Sequence, residues 1–268
     1  MPKTVSGAFT YAFALTEPDS GSDAAALKTK ARLDGDHYVV DGVKQFISGA
    51  GVSDLYAVMV RTGGERPSGI STLLIEKDTP GLAFGAEERK MGWHAQPTRQ
   101  VIMDGCRVPV ANRIGAEGIG FRIAMAGLDG GRLNIAACSL GAAAECVDRS
   151  VAYVKERKQF GKPIADFQAV QHQIARMAID VEVTRLLVYN SARLRDAGLP
   201  FLTEAAMCKV VSSEVAERTA SMAVNLFGGN GFVKEYPVEK LYRDAKIGQI
   251  YEGTSNMQLG TIAKGVLG

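Results

Sequence analysis

The sequence has 268 residues, 46% hydrophobic and 22% charged, with a formal net charge of +2. That length accommodates one large domain or two ordinary ones, and two is the expectation; the composition is that of a globular chain, neither disordered nor membrane-embedded. No block of like charge points to nucleic acid or an anionic membrane, and the longest apolar stretches, such as Ile135–Leu140, fall well short of the roughly 20 residues that a membrane helix needs.

Met1 to Thr10 shows neither the apolar core of a secretory leader nor the Arg-rich pattern of a transit peptide, so the chain is expected to stay in the compartment where it is made. Cys106, Cys138, Cys146 and Cys208 have no C-x-x-C spacing, and all four read as reduced core residues. His37, His94 and His172 are scattered without metal-ligand spacing, so no metal is expected.

Up to about residue 115 the pattern is that of strands: Phe9 to Thr16, His37 to Ser48, Leu55 to Arg61, Gly69 to Glu76 and Arg99 to Met103, separated by turn formers such as Asp34-Gly35 and Pro80-Gly81. No helical pattern intervenes between most of them, which predicts antiparallel pairing in a barrel or sandwich rather than βαβ units. Beyond Gly120 the period lengthens. Leu133, Ala137, Leu140, Ala144, Val147, Val151 and Val154 mark one helix; Val170, Ile174, Met177, Val181 and Val188, interrupted at Thr184, mark a second. Met207, Val211, Val215, Met222 and Leu226, interrupted at Thr219, mark a third, and a fourth is expected over about 254–263. Gly161-Lys162-Pro163 and Ala197-Gly198-Leu199-Pro200 close the first two. The fold expected is therefore α+β in two domains: residues 1–115 as an antiparallel β-barrel and 116–268 as an up-and-down four-helix bundle.

Five segments carry chemistry, each with a structural reading beside the functional one. Phe13-Ala-Leu-Thr-Glu-Pro-Asp-Ser-Gly-Ser-Asp23 leaves a strand for a loop of hydroxyls and carboxylates, either an Asx-rich turn or a ligand loop. Phe46-Ile-Ser-Gly-Ala-Gly51 puts an aromatic beside permissive backbone, which suits a flat heterocycle or a strand corner. In Glu156-Arg-Lys-Gln-Phe-Gly161, Arg157 either complements a helix dipole or grips a pyrophosphate. Gly228-Gly-Asn-Gly231 is an elaborate helix cap or a place where backbone approaches a phosphate; no strand precedes it, which disfavours a dinucleotide fingerprint. Ile250-Tyr-Glu-Gly-Thr-Ser-Asn256 sets Glu252 just before a helix, as a dipole-complementing surface residue or as a carboxylate in an apolar pocket with a pKa raised toward that of a base.

In order and separation these segments resemble the acyl-CoA dehydrogenase family from about Phe9 onward. Leu128-Asp-Gly-Gly-Arg-Leu-Asn-Ile-Ala-Ala-Cys-Ser-Leu-Gly141 and Gly92-Trp-His-Ala-Gln-Pro-Thr-Arg99 look most like its isobutyryl-CoA branch. The helical domain of roughly a hundred residues with which members begin does not precede the barrel segments here. The resemblance implies FAD between barrel and bundle, completed by a neighbouring subunit of a homo-oligomer, a dimer of dimers. It also implies an acyl-CoA substrate, an electron-transfer flavoprotein as acceptor, and a bacterial cytoplasm or mitochondrial matrix as compartment.

On the same resemblance, the flavin is contacted by Phe13, Ala14, Leu15, Thr16, Glu17, Pro18, Asp19, Ser20, Gly21 and Ser22, with Thr16 near the reactive nitrogen. Phe46, Ile47 and Ser48 lie over the ring, the first where Trp is common. Arg157, Phe167, Gln168, Asn225, Leu226, Phe227, Gly228, Gly229, Thr254, Ser255 and Asn256 are further FAD contacts, those of Arg157, Phe167 and Gln168 made across the subunit interface. Ser22, Asp129, Gly130, Gly131, Arg132 and Gly253 correspond to substrate contacts, and Glu252 to the base that removes the α-proton of a short-chain thioester. A related branch carries its base near position 131, where this chain has Gly. The alternatives are an acyl-CoA oxidase and a truncated non-catalytic flavoprotein or assembly subunit.

Overall fold

The structure is a computed structural model that describes residues 5–268; part of the Met1–Thr10 stretch, residues 1–4, lies outside them. The chain divides into two compact units, one running to Lys90 and resuming over His94–Gly127, the other formed by Met91–Trp93 with Leu128–Gly268.

The first unit is a seven-stranded sheet of β1 (Tyr11–Ala14), β2 (Lys30–Asp34), β3 (His37–Ser48), β4 (Leu55–Arg61), β5 (Ile70–Glu76), β6 (Leu82–Phe84) and β7 (Thr98–Pro109). Its order is β1-β4-β2-β3-β7-β6, with β5 paired to β4. Most pairings are antiparallel, but β1 runs parallel to β4, and β2 meets β4 in parallel at Lys30 and Arg61. Alternation drives each strand inward on one side: Tyr38 and Val40 of β3, Tyr56, Val58 and Val60 of β4, and Leu73 and Ile75 of β5 share one core with Val101, Met103, Cys106 and Val108 of β7. β3 and β7 shift register between Lys44 and Ile47. Such a bulge bends a strand and re-aims a side chain. Here Phe46, in the left-handed region at φ 57, stands 62% exposed, while Ile47 is buried.

The second unit is helical: α1 (Gly120–Glu156, whose first turns belong to the sheet unit), α2 (Gln168–Asp196), α3 (Leu202–Phe227), α4 (Val238–Ala245) and α5 (Ser255–Leu267). The four expected helices are present, and α4, which the pattern did not announce, is added between α3 and α5. α1 stops at Glu156, before Gly161; a two-residue hairpin ladder, Lys158–Gln159 against Lys162–Pro163, occupies the interval.

The buried face of α1 is Leu133, Ala136, Ser139, Leu140, Ala143, Cys146, Ser150 and Val154, so the apolar stripe read from large residues is rotated by about one position, and Ala137 is exposed. The reading of all four cysteines as core residues is corrected at Cys138: it is exposed, because Ala136 and Ser139 take the inward positions on either side. Thr184, which interrupted the second stripe, is itself buried, its hydroxyl donating to the Asp180 carbonyl at 2.7 Å. That local bond satisfies a polar group inside the core. α3 is enclosed on nearly every side, with Ala205, Ala206, Cys208, Lys209, Val210, Ser212, Ser213 and Ala216 all buried.

Candidate active site

Within the sheet unit, the loop after β1 is held by a fully buried ion pair. The Lys44 ammonium donates to the Glu17 carboxylate at 2.8 Å and to the Leu15 carbonyl at 3.0 Å. Glu17 also accepts the Lys28 and Thr29 backbone N–H groups, and its own N–H and C=O pair with Ser20 across the Pro18-Asp19 turn. Burial pushes the Glu17 carboxyl up, but the Lys44 charge and these hydrogen bonds outweigh it and leave it below its usual value. Burial lowers Lys44 to about 8 against the pull of Glu17, so the pair is charged at neutral pH. The Gln45 N–H donates to the Thr16 carbonyl at 2.8 Å, which ties the loop to β3 one residue before Phe46. Thr16 and Phe46 are thus set on one framework. Pro18, Asp19, Gly21 and Ser22 are exposed, whereas Ala14, Leu15, Glu17, Ser20 and Ile47 are buried and support the loop rather than face outward from it.

Within the helical unit, Glu252 occupies a turn between α4 and α5 whose residues are left-handed, at φ 55 for Glu252 and 85 for Gly253. The left-handed region is uncommon for a residue with a Cβ and persists only when neighbours fix it. They do. Lys209 of α3, fully buried, donates to the Gly253 carbonyl at 2.7 Å. Gln258 of α5, also fully buried, donates its amide to the Glu252 and Gly253 carbonyls at 3.2 and 3.1 Å. Thr254 caps α5 through its side-chain oxygen.

The Glu252 side chain is partly buried and lies against Gly131 of α1: a Cβ at position 131 would stand 2.5 Å from its carboxylate oxygen. Burial pushes the carboxyl up from its ordinary value, while the Arg132 and Lys209 charges pull it partway back. The Asp129 carboxyl is likewise raised by burial, against the attraction of Arg132, whose guanidinium it accepts at 2.9 Å. Next to this turn, Tyr251 meets the Trp93 ring edge-on at 6.1 Å, and the Trp93 indole donates to the Asp244 carbonyl.

A second locus in the same unit is a cavity of about 290 Å³ lined by Arg157 together with Tyr153, Leu226, Phe227, Gly228 and Gly229. Gly228 ends α3 at φ 60, and a Cβ at Gly228 or Gly229 would meet nothing, so backbone there is open to a ligand. Tyr153 stacks on Phe227 at 4.0 Å and fixes this end of α3. Phe167 does not line the cavity; its ring faces Phe160 and carries the Lys162 ammonium at 4.5 Å, and Gln168 opens α2 beside it. A larger groove of about 470 Å³ between α1 and α2 does not include Glu252.

The donor set fits a flavin dinucleotide. Ser255 Oγ and Arg132 Nε are buried without a partner among the described residues, at positions matched by resemblance to FAD and to substrate. Arg157 beside open glycine backbone suits a phosphate-bearing ligand. Among the described residues there is no metal-ligand cluster and no helix long and apolar enough to cross a membrane. Sequence reading missed Lys209, Gln258 and the Trp93–Asp244 anchor. The available signal was a lysine set among Ala205, Ala206, Ser212 and Ser213, small residues that announce a helix packed all round.

Two family models match: the middle domain of acyl-CoA dehydrogenases over residues 12–106 and their C-terminal domain over residues 118–267. The mitochondrial isobutyryl-CoA dehydrogenase of Dictyostelium discoideum is 50% identical over 256 residues, which is 95% of this chain and 62% of that protein. The chain thus spans less than two thirds of that relative. Butyryl-CoA dehydrogenase from Megasphaera elsdenii has a solved structure that superposes with a TM-score of 0.97 at 42% identity, covering 99% of this chain and 70% of that one. A chain from a study of the electron transferring flavoprotein of Acidaminococcus fermentans superposes equally, with a TM-score of 0.97 at 43% identity over 99% of this chain and 70% of that one.

Proposed function

The chain belongs to the acyl-CoA dehydrogenase family, and from that premise we propose that it forms the flavin-binding and catalytic portion of an enzyme that oxidises a short, branched acyl-CoA of the isobutyryl type to the 2-enoyl-CoA. The observation that carries this reading is Glu252: a carboxylate whose basicity is raised by burial, on a turn locked by Lys209 and Gln258, in the room that the missing side chain of Gly131 provides.

Removing the α-hydrogen of a thioester requires a base withdrawn from water and a donor for the charge that builds on the carbonyl oxygen. Glu252 is the base, and the α-proton of the thioester is taken onto its carboxylate. The Glu252 backbone N–H, which has no acceptor among the described residues, is the donor that the protein supplies to the thioester oxygen. As the Cα–H pair becomes the new double bond, the β-hydrogen leaves with its two electrons; FAD, when bound, supplies the acceptor for them. Thr16, Phe46 and Ser255, with Arg157 and the Gly228-Gly229 backbone, are the residues that would hold FAD. Ser22, Asp129 and Arg132 orient the CoA thioester. An electron-transfer flavoprotein as oxidant and a homo-oligomer complete the reading; the likeness to a chain from the study of the Acidaminococcus fermentans electron transferring flavoprotein is in keeping with such an acceptor.

The test is direct. The purified chain should be yellow and should bleach when isobutyryl-CoA is added without oxygen, and Glu252→Gln should keep the colour and lose the bleaching. A colourless protein, or bleaching that survives the substitution, refutes the proposal; rapid peroxide formation under air would redirect it to an oxidase.

A further inference from the structure

Lys209 takes no part in the bond-making steps described above, yet it is an ammonium with no exposed surface in the middle of α3. An isolated buried cation costs several kcal/mol unless it is paired. Among the described residues its ammonium donates to the Gly253 carbonyl, and the carboxylate whose charge acts on it is Glu252. We propose that Lys209 is the positioning residue of the Glu252 turn, holding the left-handed backbone of residues 252 and 253 from below while supplying the counter-charge to the carboxylate above.

Three observations support it. The turn is strained at Glu252, and among the described residues the carbonyls of Glu252 and Gly253 are received only by Lys209 and Gln258, which emerge from two different helices. Gln258 supplies geometry without charge, so the electrostatic part falls to Lys209. The charged groups that act on Glu252 are Arg132 from α1 and Lys209 from α3, and those that act on Lys209 are Glu252 and Arg132. Burial brings Lys209 down to about 8, against the attraction of Glu252 and with the repulsion of Arg132, so its charge is lost just above neutrality. Below that pH the ammonium keeps Glu252 ionised enough to accept a proton; above it the restraint disappears.

The inference rests on Glu252 as the base, and its test does not depend on turnover. The full chain is labelled with carboxyl-¹³C glutamate, Glu252 is assigned by its loss in Glu252→Gln, and the resonance is titrated in the parent, Lys209→Met and Lys209→Arg. In the parent the Glu252 signal should show its own titration and a second inflection near pH 8 from Lys209. Lys209→Met should move the Glu252 titration to higher pH and erase the second inflection. Lys209→Arg should leave the first near its parental position and also erase the second, because arginine keeps its proton.

In single-turnover flavin reduction, Lys209→Met should slow the reduction rate by about 10-fold on the acid side of the Glu252 titration. The loss should shrink above pH 8, where the parent's Lys209 has also lost its charge. If Lys209→Met fails to fold, the loss of the inflection near pH 8 in Lys209→Arg carries the test. An unmoved Glu252 titration in Lys209→Met, or an inflection near pH 8 that persists in Lys209→Arg, overturns the proposal. A parent that does not bleach with isobutyryl-CoA would sink the activity reading and leave the comparison of titrations intact.

Discussion

Gly131→Ala tests the geometry of the base at the level of a single methyl group. Gly131 lies inside α1 with an ordinary helical backbone, so alanine brings no conformational strain and adds about 1 kcal/mol of helix propensity. The new Cβ would stand 2.5 Å from the Glu252 carboxylate oxygen, whereas ordinary contact begins near 3.4 Å, so the oxygen must retreat by about 0.9 Å (3.4 − 2.5). What retreats is the far end of a flexible side chain rather than backbone, and the turn beneath stays held by Lys209 and Gln258. The protein should therefore fold with undiminished thermal stability while the carboxylate is misplaced by close to 1 Å, a displacement that costs on the order of 100-fold in a reaction depending on near-attack geometry. The assay is anaerobic stopped-flow reduction of the bound flavin by saturating isobutyryl-CoA, with thermal melting and flavin content as controls. A reduction rate within about 3-fold of the parent would mean that the carboxylate reacts from somewhere other than beside Gly131.

Lys44→Met should leave Glu17 buried without its cation and lower stability by about 3 kcal/mol, read by urea unfolding. Because the Glu17 carboxyl is held below its usual value in the folded parent, that stability is present above the ordinary carboxylate range and is lost as pH falls below it. This acid-dependent loss should be absent from the Lys44→Met melting profile. Arg157→Ala should weaken flavin binding by roughly 10- to 100-fold, measured by fluorescence titration, with little change in melting temperature of the flavin-free chain, since Arg157 borders an open cavity. Phe46→Ala should weaken flavin binding by a smaller factor, about 5-fold, through lost stacking by a ring that is already 62% exposed.

What the sequence displayed, and what it hid, follow from the range over which each interaction acts. β3, β4 and the second long helix came from apolar periodicity because each buries one regular face, whereas β5 and the third long helix came from apolar runs buried nearly all round. β2 was invisible: of Lys30–Asp34 only Ala31 is buried, and its place in the sheet comes from pairing with β3 and β4 rather than from its own pattern. The face of α1 was misread by about one position because its inward residues are Ala136, Ser139, Ala143, Cys146 and Ser150, small groups that a search for large apolar residues passes over. Glu252 was legible as a motif, but its surroundings were not. Gly131 is 121 positions earlier (252 − 131) and Lys209 is 43 earlier (252 − 209), and nothing local in Ile250–Asn256 states that both meet it.

The two loops that carry the proposed chemistry share one physical device. In each, irregular backbone leaves carbonyls that no ladder satisfies, and in each a fully buried lysine from a regular element reaches in to receive one: Lys44 of β3 takes the Leu15 carbonyl, and Lys209 of α3 takes the Gly253 carbonyl. Each ammonium also faces a glutamate within its own loop, Glu17 in the first and Glu252 in the second. The difference lies in what surrounds the carboxylate. Glu17 accepts a short ion pair and two backbone N–H groups, which favour the charged form and make it a fixed anchor. The Glu252 carboxylate accepts no hydrogen bond among the described residues and has only the charges of Arg132 and Lys209 to offset its burial. A carboxylate satisfied by donors is held in place; one supported only by charge keeps its lone pairs for a proton, and that contrast separates the structural glutamate of this chain from the one proposed as its base.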